Sequence, residues 1–392
     1  MPLATNQISF RTPEGSAVRR DLQRDVIDHG TTVDDLGPRR FGRAADVRPR
    51  ADLGIAWPSG RQPEPVPLER EPEPSDPLPA ADVVVITWTV AELRALADVF
   101  TPGVSSASRW YRYDRRFEEY LPEIRAGAPA RLARRLASYH PSRIGRTRIL
   151  CVKSELHLNQ DGVRTGDGTA TLPVAELFRQ IIGEVKPKLV ITVGTCGATF
   201  AGHGLGDVAV TRGAKFLLRE EFANEPFADQ AYRSEFTMPR RRLSAARRLM
   251  VALAPNLTEP DFAPPSIDYP WEGPPLTGLT HQPFLRLDGD DFDAFHPIIS
   301  TDSFIFGTTG NGLDREGCGV EMGDAVLGMV AAELGSDAPA WLVVRNFSNP
   351  AINAALPTEP VDMQAFWSHW YYVTYGYWTS VNSAIATWAM IA

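Results

Sequence analysis

The chain is 392 residues long, 43% hydrophobic and 22% charged, the balance of a soluble globular protein with one large α/β domain or two to three average ones. A formal net charge of −8 argues against a general nucleic-acid binder, which would carry a basic footprint. Three scattered cysteines (Cys151, Cys196 and Cys318) make neither a disulfide framework nor a CxxC metal pair, and no stretch reads as a signal peptide or a bilayer span. A cytoplasmic protein with no membrane partner is expected.

Residues 1–80 differ from the remainder. Twelve of the 33 prolines fall there, and Pro63–Pro79 reads PEPVPLEREPEPSDPLP, which favours extended chain and cannot bury a core. A loosely structured Pro/Arg-rich arm over 1–80 is expected ahead of an α/β domain over 81–392. Ala81–Thr87 is a β-branched run suited to a strand buried on both faces, and Val90–Leu96 follows as a helix. Arg148–Val152 reads as a second strand. Thr171–Glu184 reads as an amphipathic helix with Leu172, Ala175, Leu177 and Ile181 toward the core, and Lys188–Gly194 as another buried strand. Asp207–Thr211 and Ala340–Arg345 are further strands, and Ala325–Leu334 is a helix. Glu220–Ser300 breaks the rhythm with prolines and reads as an insertion, an elaborated loop or a lid. The last 30 residues form an aromatic-rich helix. On it Phe366, Trp370, Tyr371, Val373, Trp378 and Val381 fall on one stripe, a core or a subunit interface. The alternation predicts a three-layer α/β fold whose central sheet is mixed and mostly parallel, flanked by helices.

In such a sheet the ligand crevice lies at the carboxyl ends of the strands, and four segments fall there. Thr192–Thr199 (TVGTCGAT) reads as a glycine-bearing turn directly after a buried strand. Glycines admit close backbone approach, and free N–H groups with the Thr195 hydroxyl can hold an anion or a ribose oxygen; a plain tight turn fits as well. It is neither a Walker loop nor GxGxxG. Gly319–Asp324 (GVEMGD) ends a strand and opens a helix, so Glu321 can accept hydrogen bonds from vicinal ribose hydroxyls. The bland reading makes Glu321 a surface charge and Met322 core filler. Arg345–Ala351 (RNFSNPA) sets Ser348 and Asn349 just past the late strand, where a capped turn is ordinary chemistry. Thr301–Ile305 (TDSFI) can set an aromatic face against a base.

Taken in order, VITVGTCGAT, LGDVAV (Leu205–Val210), STDSFIF (Ser300–Phe306), GVEMGDAVLG and LVVRNFSNPA resemble the purine nucleoside phosphorylase and uridine phosphorylase superfamily. The nearest likeness is to its methylthioadenosine/S-adenosylhomocysteine nucleosidase branch, over about residues 80–392. The resemblance implies the phosphorylase-type fold, cleavage of an N-glycosidic bond in purine nucleoside metabolism, a small-molecule nucleoside substrate, no cofactor or metal, and a homo-oligomer. Glu92, in ITWTVAEL, falls where nucleosidases place the carboxylate that activates the attacking water. Thr87-Trp88-Thr89 stands where phosphorylases carry their phosphate-binding loop. A carboxylate helps water and repels a phosphate dianion, so hydrolysis is favoured. Thr195, Cys196 and Gly197 would line the ribose and base pocket, Phe304 would stack on the base beside Ile305, and Met322 would lie against the sugar.

Two positions depart from the family pattern. The second carboxylate of its VEM segment, which holds the ribose hydroxyls, is Gly323 here, with Asp324 offset from it by about 100° of helix. Where adenine-specific members carry an Asp that protonates the purine N7, this chain has Asn349 beside Ser348. A neutral amide delivers no proton, although it can hydrogen-bond N7 and a 6-oxo group, the use that mammalian-type purine nucleoside phosphorylases make of an Asn. The expected mechanism is dissociative, through an oxocarbenium-like state. Glu92 activates water, Glu321 and Asp324 hold the sugar, and Ser348 and Asn349 contact the leaving base. The seven histidines show no metal spacing, and His157 and His203 are the two best placed to touch substrate, if they are not simply satisfied within the fold. Two other readings stay open. One is a phosphorylase that gathers phosphate through Lys153, Arg164 or Arg212; the other is a catalytically silent nucleoside-binding or sensing protein.

Overall fold

In the computed structural model, apolar side chains alternate along the central strands and build a separate core on each face of one sheet. Val84, Ile86, Val190 and Val343 point to one face, and Val83, Val85, Ile191, Leu342 and Val344 to the other. The structure describes residues 53–256, 282–288, 291, 296–305, 307–308, 310–356 and 363–392. Most of the proline-rich arm therefore lies outside the described residues, as does part of Glu220–Ser300.

The described strands are β1 (Pro63–Pro65), β2 (Val83–Thr87), β3 (Tyr111–Tyr113), β4 (Ala137–Ile144), β5 (Thr147–Ser154), β6 (Leu189–Ala198), β7 (Val208–Thr211), β8 (Gly213–Phe216), β9 (Ala231–Arg233), β10 (Leu285–Leu287), β11 (Ile298–Ser300), β12 (Gly319–Glu321) and β13 (Ala340–Asn349). The helices are α1 (Val90–Phe100), the short α2 (Phe117–Tyr120) and α3 (Pro129–Ala133), α4 (Pro173–Val185), α5 (Arg240–Leu253), α6 (Asp324–Leu334) and α7 (Met363–Ile391). The central ladder β5-β2-β6-β13 is parallel throughout, and antiparallel partners join at its margins: β4 on β5, β7 on β13. Helices α1, α5 and α7 cover one face and α4 and α6 the other. This is the three-layer α/β architecture with a mixed sheet that the sequence predicts.

Several boundaries differ from the sequence reading. Gly194–Ala198 is not a turn but the continuation of β6, because β13 runs beside it and pairs Gly194 with Arg345 through Cys196 with Phe347. For the same reason Asn346–Asn349 belongs to β13 rather than to a loop beyond it. The β4 segment, ASYHPSRI, has no strand-like periodicity. It forms because the Gly145–Arg146 turn, with Gly145 at a φ of 57°, folds it back along β5 over its whole length. The described parts of Glu220–Ser300 are built into the domain: β9 pairs with β8, β11 pairs with β8 and β12, and α5 packs on α7.

Residues 53–80 carry little regular structure yet pack on the domain. β1 pairs with β4, Leu53 and Leu78 are buried, and the Trp388 indole donates to Arg61 O at 2.6 Å. Of the aromatic stripe on α7, Tyr371, Trp378 and Val381 are buried in this chain's own core, while the side chains of Phe366, Trp370 and Val373 lie outside the described residues. Among the described residues no helix is long and apolar enough to cross a membrane.

Asn346 ties three elements together. Its amide N–H groups donate to Gly194 O of β6 (2.8 Å) and to Ser383 Oγ of α7 (3.0 Å), and the residue is fully buried. Asn346→Ala leaves these acceptors unpaired and should cost about 1–3 kcal/mol. The check is a lower chemical-denaturation midpoint at unchanged slope.

Candidate active site

Two strands share one edge of β6, and the site lies in the gap between them. β2 occupies that edge along Leu189–Thr192, β12 takes it up at Gly197 and Ala198, and β13 holds the opposite edge from Leu189 to Gly197. In the gap the Thr195 backbone N–H donates to Glu92 Oε1 at 2.7 Å, and the Thr195 hydroxyl donates to the same oxygen at 2.8 Å. A side chain thus takes a backbone donor that a neighbouring strand would otherwise have taken. Glu92 also completes a capping box at the start of α1, its Oε2 accepting the Thr89 N–H at 2.9 Å. The Trp88 N–H (3.0 Å) and the Thr87 hydroxyl (2.8 Å) reach that oxygen too.

Five donors therefore hold one buried carboxylate. Burial pushes the Glu92 pKa up, but the Arg345 guanidinium and the donors of Thr89 and Thr195 outweigh it and hold the carboxyl below its ordinary range. Arg345, on β13, stands at the centre of three carboxylates. It makes a two-pronged pair with Asp324 (Nε to Oδ2 2.8 Å, Nη2 to Oδ1 2.6 Å), reaches Glu321 Oε2 at 3.2 Å, and lies 3.8 Å from Glu92 Oε1. Its guanidinium also stands over the Trp88 ring, 5.0 Å from the centroid.

Gly194 is the residue that makes room for this arrangement. A Cβ there would come within 2.5 Å of both Arg345 Nη1 and Glu92 Oε1. Glu321 sits at the start of α6, accepting from the Asp324 N–H (2.9 Å) and from the Ser300 hydroxyl. Burial, and then repulsion from Asp324, outweigh Arg345 and raise its pKa to about 7. Two buried carboxylates in one site are thus driven apart: Glu92 stays ionised, and Glu321 changes charge near neutrality.

Above these groups opens a cleft of about 870 Å³, counting its mouth. Glu92, Thr195, Cys196, Gly197, Phe304, Ile305, Glu321, Met322, Ser348 and Asn349 all line it. Asp324 does not. It is fully buried behind the wall, and its carboxylate is taken up by Arg345, so the sugar contact expected of it is replaced by support of the guanidinium. Asn349 is oriented by neighbours: Ser348 Oγ donates to its Oδ1 (2.9 Å), and its Nδ2 donates to Ser368 Oγ (3.2 Å). The Cys196 thiol is kept neutral by burial.

The lining also includes Trp88, Thr89, Thr301, Ser303 and Arg345, which lie in the segments quoted above but were given no role of their own, and Asn159, Ser368 and Tyr372, which sequence reasoning left out. A lone cation ending the apolar run AWLVVR was the legible signal for Arg345, since a buried charge requires partners. Ser368 and Tyr372 arrive on α7 and carry no local signal. His157 lines the cleft, whereas His203 stacks on Phe347 (5.0 Å) and lies tilted against Phe200 (4.9 Å) outside the lining. The cations considered for phosphate are engaged elsewhere. Lys153 pairs with Glu155, Arg164 with Glu221 and Arg212 with Asp288, and none lines the cleft.

No protein-family model matches the chain, and no curated protein matches it. Among solved structures, the chain is similar to futalosine hydrolase of Helicobacter pylori strain 26695, at 14% identity over 79% of this chain and 96% of that one, with a TM-score of 0.43. It is similar to the 5′-methylthioadenosine/S-adenosylhomocysteine nucleosidase of Neisseria meningitidis in complex with methylthio-immucillin-A (15% identity, 79% and 97% covered, TM-score 0.44). The MTA/SAH nucleosidase of Streptococcus pneumoniae, in complex with 8-aminoadenine, gives 14% identity, 79% and 98% coverage and a TM-score of 0.43. The likeness is one of fold.

Two outcomes follow from the charges. Gly194→Ala drives a methyl group into the Glu92–Arg345 contact and should cost about 1–3 kcal/mol of stability, read by denaturant unfolding. For Glu321 the raised pKa means that its stabilising contribution is full below about 4.5 and is lost as pH rises through about 7. The melting temperature of Glu321→Gln relative to the native chain should therefore climb between pH 5 and pH 8; a flat difference would contradict the assignment.

Proposed function

We propose that the protein binds a nucleoside in this cleft and hydrolyses its N-glycosidic bond. The observation that carries the reading is the charge at the floor of the cleft: one guanidinium faces three carboxylates, Glu92, Glu321 and Asp324. Such a surface repels a phosphate dianion and favours positive charge, and the transition state of glycoside cleavage carries positive charge on the sugar. Hydrolysis is preferred over phosphorolysis on that ground, and the pairing of Lys153, Arg164 and Arg212 with carboxylates supports it.

In this mechanism Glu92 acts first through its charge and its geometry. A carboxylate held below its ordinary pKa is a weak proton acceptor. Its two oxygens are already held by five donors, so it works through its negative charge, which faces the developing oxocarbenium ion. Water captures that ion at the anomeric carbon, and the proton it sheds passes to the departed base anion, which balances the step. Glu321 takes the sugar hydroxyls, Met322 packs against the ring, and Phe304 and Ile305 cover the base. Asn349 has one N–H committed to Ser368, which leaves the other to donate to the leaving base. With no acid to protonate it, the base departs as a hydrogen-bonded anion, which suits a 6-oxopurine better than adenine.

A second reading, binding without turnover, is favoured by the neutral Asn349 and by the five donors that occupy Glu92. One assay separates the readings: incubate the protein with a nucleoside panel, with and without phosphate, and follow free base. Release that is independent of phosphate is expected. Release only with phosphate would establish phosphorolysis, and thermal stabilisation by nucleosides without release would establish a binder. Glu92→Gln should lower turnover by about 10²–10³-fold, the loss expected for one electrostatic group at the transition state; full activity in that variant would refute the role given to Glu92.

A further inference from the structure

We infer that the cleft selects nucleosides whose sugar carries a hydrogen-bonding 5′ group, a hydroxyl or other polar substituent, over those with an alkyl or alkylthio group. The inference rests on the nucleoside reading above, and it is carried by a different part of the cleft. His157 and Asn159 line it at only 6% and 1% exposure. Both ring nitrogens of His157 and the Asn159 Oδ1 are buried without a hydrogen-bond partner among the described residues. Unpaired polar atoms in a fold are rare enough to require an explanation, and here they cluster in a wall of the cleft.

The loop that bears them cannot turn them away. Asp161 Oδ2 accepts the His157 backbone N–H at 2.7 Å, and the Asp161 carbonyl accepts the Arg125 N–H at 2.8 Å. The Arg125 side chain donates to Asn159 O at 3.1 Å, and the Trp88 indole donates to Leu156 O at 3.2 Å. His157 Nδ1 lies 3.5 Å from Asp161 Oδ2, which leaves Nε2 as the ring atom available to a ligand. These atoms carry almost no accessible surface in the cleft, so a ligand group that reaches them with a donor or acceptor supplies bonds that nothing else makes. An alkylthio group supplies none of them.

The strand order assigns this wall to the 5′ end. Asn349 ends β13, His157 and Asn159 follow β5, and β2 and β6 lie between them. Three steps of about 4.8 Å put the two walls roughly 14 Å apart. The Glu92, Thr195 and Arg345 cluster stands in the middle. With the base at Asn349 and the ribose over that cluster, the sugar's 5′ substituent extends toward His157.

The test compares ribosides of one base that differ only at the 5′ position: hydroxyl, carboxylate and methylthio. Dissociation constants are measured by calorimetry on the full chain. The native protein should prefer the 5′-hydroxyl compound over the 5′-methylthio one by on the order of 10- to 100-fold, and the 5′-carboxylate, which cannot donate to Asn159 Oδ1, should bind more weakly than the hydroxyl. His157→Leu and Asn159→Leu should each narrow or invert that ratio and leave the preference among bases unchanged. Equal or tighter binding of the methylthio compound to the native protein overturns the inference and leaves the nucleoside reading standing. It is also overturned if either variant weakens all three compounds equally. Failure of every riboside to bind the native protein, at a concentration where it is folded by circular dichroism, overturns the nucleoside reading itself.

Discussion

The carboxylate of Glu92 is the constraint on which the rest of the site depends. It caps α1, it takes the Thr195 backbone N–H left over where β2 and β12 fail to meet along β6, and it faces Arg345. A buried charge is expensive, and removing one partner of such a group costs more than the pair contributes, because the other is left uncompensated. Every oxygen of Glu92 is therefore occupied before any ligand arrives. The helix start, the strand edge and the cleft floor are fixed together by two oxygen atoms.

Arg345 distributes that constraint across the sheet. Its fork is locked on Asp324 at the start of α6, and the remaining reach touches Glu321 and the Thr195 carbonyl (3.3 Å). Negative charge exceeds positive at the floor, and burial with repulsion from Asp324 raises the Glu321 pKa to about 7. A rigid pair and one titrating neighbour give a site whose geometry is settled and whose charge responds to pH.

The fold was legible in the sequence wherever burial was two-sided. Val83–Thr87, Leu189–Val193 and Ala340–Val344 are runs of apolar, mostly β-branched residues that no surface strand would tolerate. Legibility failed where a partner strand, not the segment's own pattern, decided the structure: Gly194–Ala198 and Asn346–Asn349 hold each other in register. Of the residues that line the cleft, Thr195, Ser348 and Asn349 were legible just past those runs, and Glu321 at the end of β12. Asp324 was misread because a helix position does not reveal which buried cation will claim it. Ser368 and Tyr372 were invisible because a helix far along the chain brings them to the cleft, and no local period records that.

The Trp88 ring has a consequence for how this sequence can change. A Cβ at Gly323 would already touch the Trp88 indole, at 3.4 Å from Cζ2. The same Cβ would lie 3.8 Å from Glu321 Oε2, and the ring itself is engaged by the Arg345 guanidinium and by Leu156 O. A side chain at 323 would therefore share its space with the indole and with Glu321, and a carboxylate there would set a fourth negative charge against the single guanidinium of Arg345.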